Sequence, residues 1–224
     1  MSFPAGLFPL PWLLGLNLLA LLVLAGRVRR VAWRRIPAAQ ANAWLGACVL
    51  VMVMWTLRDD YLPGLSYHLL GMTLLGLMMG PSLALLASAL VIVVAVLATG
   101  GDWTSLGLVW LCCGVLPIGA SWLGLRLTQR LLPANYFVYL FLNAFLAGGV
   151  GMALAGLASV LVLGAAAAYS WGMLFDEALP YYLLLAWSEA FTTGLMMAIL
   201  IVYRPQWVLT FEDARYLNDR YSGP

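Results

Sequence analysis

The sequence predicts an all-α membrane protein, a polytopic helix bundle of about seven transmembrane helices with its N-terminus outside and its C-terminus cytoplasmic. Three observations carry this. Of the 224 residues, 64% are hydrophobic and only 9% are charged, against about 25% charged in an ordinary soluble domain. The mean hydropathy is +0.97. The apolar residues also gather into runs of about 20, the length a helix needs to cross hydrocarbon, and the arginines fall between the runs. The net charge of +2 is small and localised, which gives no basis for nucleic-acid binding.

The first run, Leu7–Ala25, opens on Pro9-Leu10-Pro11 and is followed by Arg27, Arg29, Arg30, Arg34 and Arg35. No small-residue cleavage site ends it, so it reads as a retained helix and not a signal peptide. The second run, Asn42–Leu57, stops at the polar turn Arg58-Asp59-Asp60. The third, Leu65–Met79, is broken by Gly80-Pro81, and the fourth is Ser82–Ala98. Gly100-Gly101-Asp102 makes a turn before a fifth run, Trp103–Leu125, that ends near Arg126 and Arg130. The sixth, Tyr136–Ala168, is longer than one crossing needs and predicts tilt or bending near its glycines. A polar loop with Asp176 and Glu177 leads to the seventh, Tyr181–Tyr203. Residues 1–203 thus form one transmembrane bundle and 204–224 a short cytoplasmic tail.

All eleven basic residues are arginines. Basic segments are retained on the cytoplasmic side. With the N-terminus outside, the cytoplasmic segments 26–41, 126–135 and the tail hold ten of the eleven, and Arg58 alone lies outside. This places the protein in the cell (inner) membrane as a multi-pass chain. Asp59, Asp60, Asp102, Asp176 and Glu177 then form an outer acidic rim that would attract cations, or a set of ordinary solvated loop ends.

Few residues carry chemistry. His68, the single histidine, sits at the head of the third run. A neutral imidazole is the commonest protein metal ligand, and an ionisable group within a membrane is a functional candidate by default; it fits equally a residue satisfied by a backbone carbonyl. Glu189 lies inside the seventh run, where an unpartnered carboxylate is disfavoured by several kcal/mol. It should point into the bundle, toward another helix or a substrate. Ala147, Gly151, Ala155 and Ser159 repeat every four residues, a spacing that lets a second helix approach closely, within this chain or on another subunit. Cys112 and Cys113, with Met72, Met78, Met79, Met196 and Met197, match soft-metal chemistry or plain apolar packing. No nucleotide-binding, hydrolase or zinc-protease motif occurs, so nothing supports an enzyme.

Four stretches, in order, give the chain a resemblance. Met1-Ser2-Phe3-Pro4-Ala5-Gly6 resembles an opening Met-His-Ile-Pro-Asp-Gly. Ser66-Tyr67-His68-Leu69-Leu70-Gly71, with Leu77 to Pro81, resembles Ser-Gly-His-Leu-Leu-Gly followed by Leu-Leu-Gly-Pro. Gly100-Gly101 to Leu106-Gly107 resembles a glycine-rich turn before a Leu-Gly step, and Glu189-Ala190 to Gly194 with Arg204-Pro205 resembles a last span and its closing Arg-Pro. These are features of the CbiM/NikM-type cobalt and nickel permeases, the substrate-binding membrane components of energy-coupling-factor ABC transporters. The resemblance implies a seven-span scaffold that captures Ni or Co as a substrate, with no permanently bound cofactor. It implies partners in a membrane coupling subunit and ATPase subunits, and a metal held by the Met1 amine, the second residue and His68. Ser66, Glu189 and Cys112 are the expected residues of the substrate cavity.

The departure is at position 2, where Ser2 replaces the family's histidine, and at Val109 and Cys112, which replace its asparagines. The sequence therefore leaves two classes open. One is a substrate-capturing subunit of an importer. The other is a non-transporting structural or assembly membrane protein on the same scaffold, for which the tail, with Trp207, Phe211, Glu212 and Asp213, would be a partner-binding segment.

Overall fold

The structure is a computed structural model that describes residues 3–216, with Arg35 described by its backbone alone. Six helical segments among these residues are long and apolar enough to cross a membrane: α1 (Leu10–Val28), α2 (Ala38–Thr56), α3 (Met72–Thr99), α4 (Trp103–Leu131), α5 (Tyr136–Ala165) and α6 (Trp171–Tyr203). Prolines open the first two. Pro9 precedes α1 and Pro37 precedes α2, where a fixed φ suits a helix start and the missing N–H is no loss. Asn135 caps α5 by accepting from Phe137 N at 2.7 Å, and Ser170 caps α6 from Met173 N at 3.3 Å. Wide turns at Leu111–Val115, Tyr139–Leu146 and Leu174–Ala178 interrupt α4, α5 and α6.

The third expected span differs from its prediction. Residues 59–67 form an antiparallel hairpin of β1 (Asp59–Leu62) and β2 (Leu65–Tyr67), with Asp59 opposite Tyr67 and Asp60 opposite Ser66. Extended chain continues to Gly71, and helix begins only at Met72. Composition alone favours helix at Leu65. Against it stands Gly64, at φ +91°, which turns the hairpin where an added Cβ would lie 2.9 Å from Leu163.

Helix α3 is two helices. Gly80 has φ 73° and ψ 167°, and Pro81 follows. The end of α3, Thr99 and Gly100, lines the same cavity as His68, only four residues before its start. Met78, near the break, instead accepts from Leu209 N in the tail. A straight helix of this length would hold its ends about 42 Å apart, so the chain reverses at Gly80. A short descending arm (72–79) runs down to the tail and a long arm (81–99) returns. The chain thus passes seven times between the ends of the bundle, with the segment at Phe3 at one end and the tail at the other.

The last span is also longer than expected. It starts at Trp171, so Asp176 and Glu177 lie on helix and not in a loop; the Ser170 cap, not charge, marks the boundary. The stripe Ala147, Gly151, Ala155 and Ser159 is buried within this chain. An added Cβ at Gly151 would meet Thr73 Oγ1 at 3.0 Å and Pro117 at 3.1 Å, so the stripe seats α3 and α4 and offers no face to another subunit. The neighbouring glycines seat α6: Gly148 lies on Thr193 and the Glu189 carbonyl, Gly149 on Ala186 and Ala190, and Gly156 on Tyr182. The outer surface is a lipid-facing coat that includes Leu18, Leu21, Leu22, Leu184 and Val202.

At Gly156 a side chain would overlap Tyr182 Cβ, which is not a flexible tip. Gly156→Val is expected to lower stability by about 1–3 kcal/mol through overpacking, read as a fall in melting temperature in detergent. Gly119→Ala, whose Cβ would meet nothing, should leave the melting temperature unchanged.

Candidate functional site

Backbone that is not helical must find partners inside a membrane, because hydrocarbon offers none. The non-helical segment 68–71 is packed into the bundle and is satisfied from two sides. Glu189, buried in α6, accepts from Leu70 N at 2.8 Å with one carboxylate oxygen and from Gly71 N at 2.7 Å with the other. Trp55 of α2 donates its indole N–H to the Leu70 carbonyl at 3.0 Å. Gly71 sits at φ +68°, where an added Cβ would be 2.9 Å from Val51. The carboxylate thus caps the first turn of the descending arm from a distant helix, as an Asp at an N-cap would do locally.

This clamp fixes His68, which is 4% exposed. Its Nδ1 lies 3.0 Å from the Leu69 carbonyl. A carbonyl only accepts, so Nδ1 carries the hydrogen, and in the neutral ring Nε2 carries the lone pair. A hydrogen bond from one ring nitrogen to a backbone carbonyl is how metal-ligating histidines are oriented. The ring packs on Trp55 with centroids 4.4 Å apart.

His68 forms one wall of a cavity of about 170 Å³ at the end of the bundle where Phe3 lies. The other walls include Phe3, Trp55, Arg58, Thr99 and Asp102. Arg58 is paired with Asp60 at 2.8 Å. Asp102 accepts from Ala5 N at 2.7 Å and so fastens the N-terminal segment beside the cavity, with Phe3 buried against it. A second tether joins α1 to α4: Asn17 donates to the Thr104 carbonyl and accepts from Gly107 N, both at 2.7 Å. A Cβ at Gly107 would fall 2.7 Å from Asn17 Cα, which explains the Leu106-Gly107 step.

The residues expected in the cavity separate. Glu189 and Ser66 do not line it. Glu189 instead holds the loop that does, and Ser66 is buried in β2. Cys112 lines an apolar groove between α1, α4 and α5 with Phe8, Leu13 and Leu161. Met1 and Ser2 lie outside the described residues. Among the described residues no three His, Cys, Asp or Glu side chains converge as a metal set. Asp102, one of the acidic-rim residues, does line the cavity, whereas Trp55, Thr99 and Ser105 carry no signal in the sequence beyond a position near a helix end or turn.

Glu189→Gln keeps the size but turns an NH₂ toward one of the two amides. It is expected to cost about 1.5–3 kcal/mol, the worth of a hydrogen bond to a charged group. Hydrogen exchange should rise at residues 68–71 and stay unchanged in α5.

The profile of a known family, described as the cobalt uptake substrate-specific transmembrane region CbiM, matches residues 3–207. No curated protein matches the sequence. Two crystal structures share the fold. A truncated transition metal transporter superposes with a TM-score of 0.79 at 19% identity, over 91% of this chain and 99% of its own. A transition metal transporter does so with a TM-score of 0.78 at 19% identity, over 89% of this chain and 92% of its own. The matched region takes in all seven passes, the Glu189 clamp and the His68 cavity. The chain therefore belongs to the CbiM family, and it is a multi-pass membrane component of metal transport, not an enzyme.

Proposed function

We propose that this chain captures a transition metal cation, Ni(II) or Co(II), as the substrate-binding component of an energy-coupling-factor-type importer in the cell membrane. The observation that carries the reading is His68: buried, with Nδ1 turned to a carbonyl, on the wall of an end-cavity beside the N-terminal segment. Phe3 is anchored in the same wall. In the family resemblance the Met1 amine and the Ser2 amide, which precede Phe3 in sequence, complete the nitrogen donor set with His68; both lie outside the described residues. Nitrogen donors of this kind suit Ni(II) and Co(II). Cargo of this type must enter and leave, and a set of three with one imidazole binds more weakly than one with two.

The arginines support an orientation. Among the described residues Arg27, Arg29, Arg30, Arg126, Arg130, Arg204 and Arg215 fall on the segments at the tail end, whereas Arg58 lines the cavity. By the positive-inside rule the cavity opens outward and the tail is cytoplasmic. The chain has no nucleotide motif, so energy comes from a membrane coupling subunit and ATPases. With the small-residue stripe buried, docking falls to the arginine-rich end and the lipid-facing helices. A structural or assembly protein on this scaffold is favoured by one observation, the absence of a three-ligand set among the described residues.

Elemental analysis of the purified protein, loaded with Ni(II) or Co(II), decides between them. Stoichiometric metal in the wild type that is lost in His68→Ala supports capture. Protein that stays metal-free in both forms overturns it and leaves the structural reading. For orientation, a C-terminal green fluorescent protein fusion is expected to fluoresce in cells and a C-terminal alkaline phosphatase fusion to be inactive. The reverse pattern would place the cavity on the cytoplasmic side.

A further inference from the structure

The descending arm of α3 is held at both ends by groups from far away in the chain. At its start stands the Glu189 clamp. At its end stands the tail: Thr210 Oγ1 donates to the Leu77 carbonyl at 2.6 Å and Leu209 N donates to the Met78 carbonyl at 2.9 Å. In an unbroken helix the Leu77 carbonyl would accept from residue 81, but that residue is Pro81 and has no N–H. The tail thus supplies a donor that the sequence of the arm withholds. Tyr139, fully buried in α5, lies with its hydroxyl 2.5 Å from Thr210 Oγ1. Since Thr210 gives its proton to Leu77, the Tyr139 hydroxyl donates to Thr210.

This part of the tail is a docked strap and not a loose segment. Val208, Phe211 and Tyr216 are buried. Phe211 stacks on Tyr216 with centroids 5.1 Å apart and meets Tyr139 edge-on at 5.0 Å. Arg215 donates to the Gln129 carbonyl at 3.1 Å, and Gln129 to Tyr216 Oη at 3.2 Å. Val208, Phe211 and Tyr216 are thus turned onto their own bundle, while Leu209 stays exposed.

The arm itself, residues 72–79, is eight buried helical residues, about 12 Å of helix, bounded by Gly71 and Gly80. Both glycines have positive φ, and the space around Gly80 is open. So short a helical arm carries a displacement at one end to the other. His68 is four residues beyond its upper end, on the loop that the arm carries.

We propose that Thr210, with Leu209, is a positioning residue for His68: the docked strap sets the height of the descending arm, and the arm sets the loop that bears the imidazole. The strap and the cavity lie at opposite ends of the bundle, and the arm is the mechanical link between them. A consequence, which rests on the metal-capture reading, is that docking of the strap and occupancy of the cavity are reciprocally coupled. Whatever lifts the strap on the cytoplasmic side loosens the metal on the other.

The test uses the full chain in detergent, with Thr210→Val, which removes the donor at nearly constant shape, and Thr210→Ser, which restores it. Hydrogen exchange is measured first without metal. The expected result is a severalfold rise in exchange at residues 65–71 in Thr210→Val, wild-type exchange there in Thr210→Ser, and no change in α1 in either. Nickel(II) affinity is then measured by titration, with a loss of about 5-fold or more expected in the valine variant alone. Unchanged exchange at 65–71 in Thr210→Val overturns the proposal, as does a rise that spreads equally through α1, which would mark general loosening. A wild type that binds no metal would overturn the capture reading, while the exchange comparison would still decide the positioning role.

Discussion

Two hydrogen bonds from one carboxylate hold this architecture in register. In hydrocarbon, extended backbone has no solvent to turn to, and each unpaired amide is disfavoured by several kcal/mol. The chain nevertheless carries non-helical residues deep into the bundle at 68–71. Glu189 makes that possible by accepting from two consecutive amides, Leu70 and Gly71. The arrangement explains each member in terms of the other: a buried carboxylate needs donors, and a helix that starts inside a membrane needs acceptors for its first amides. The indole of Trp55 completes the loop from the other side.

From this clamp the functional geometry follows. The descending arm starts only at Met72, so His68 stands on the non-helical stretch before it, buried on the wall of the end-cavity. Its ring is oriented by Leu69 and Trp55. Asp102 and Asn17 play the matching role for the N-terminal segment and α1. The cavity wall is thus assembled from four separate parts of the chain, each tied by polar contacts that a lipid environment makes hard to exchange.

The break at Gly80-Pro81 has two consequences. It reverses the chain, which returns α3 to the cavity end and sets the parity of the whole bundle. It also leaves the Leu77 carbonyl without a helical donor, and the strap answers that need with Thr210. The same short arm is therefore bounded by the Glu189 carboxylate above and by the Thr210 hydroxyl, itself bonded to Tyr139, below.

The sequence by itself determined the fold class, the seven passes and the end that carries the arginines, because hydropathy, proline and basic-residue placement act locally and need no partner. It also singled out His68 and Glu189 as groups that a membrane does not tolerate idly. It could not show that Glu189 serves the loop and not the cavity, that Leu65–Gly71 is not helical, or that Cys112 lies in a separate apolar groove. Nor could it show that the stripe from Ala147 to Ser159 is covered by Thr73 and Pro117. Each of these depends on which side chain, some 74 to 119 positions away, meets which backbone group, as Thr73 meets Ala147 and Glu189 meets Leu70. Only tertiary structure decides such pairings, since the composition of a segment fixes what its polar groups require but not which distant residue satisfies them.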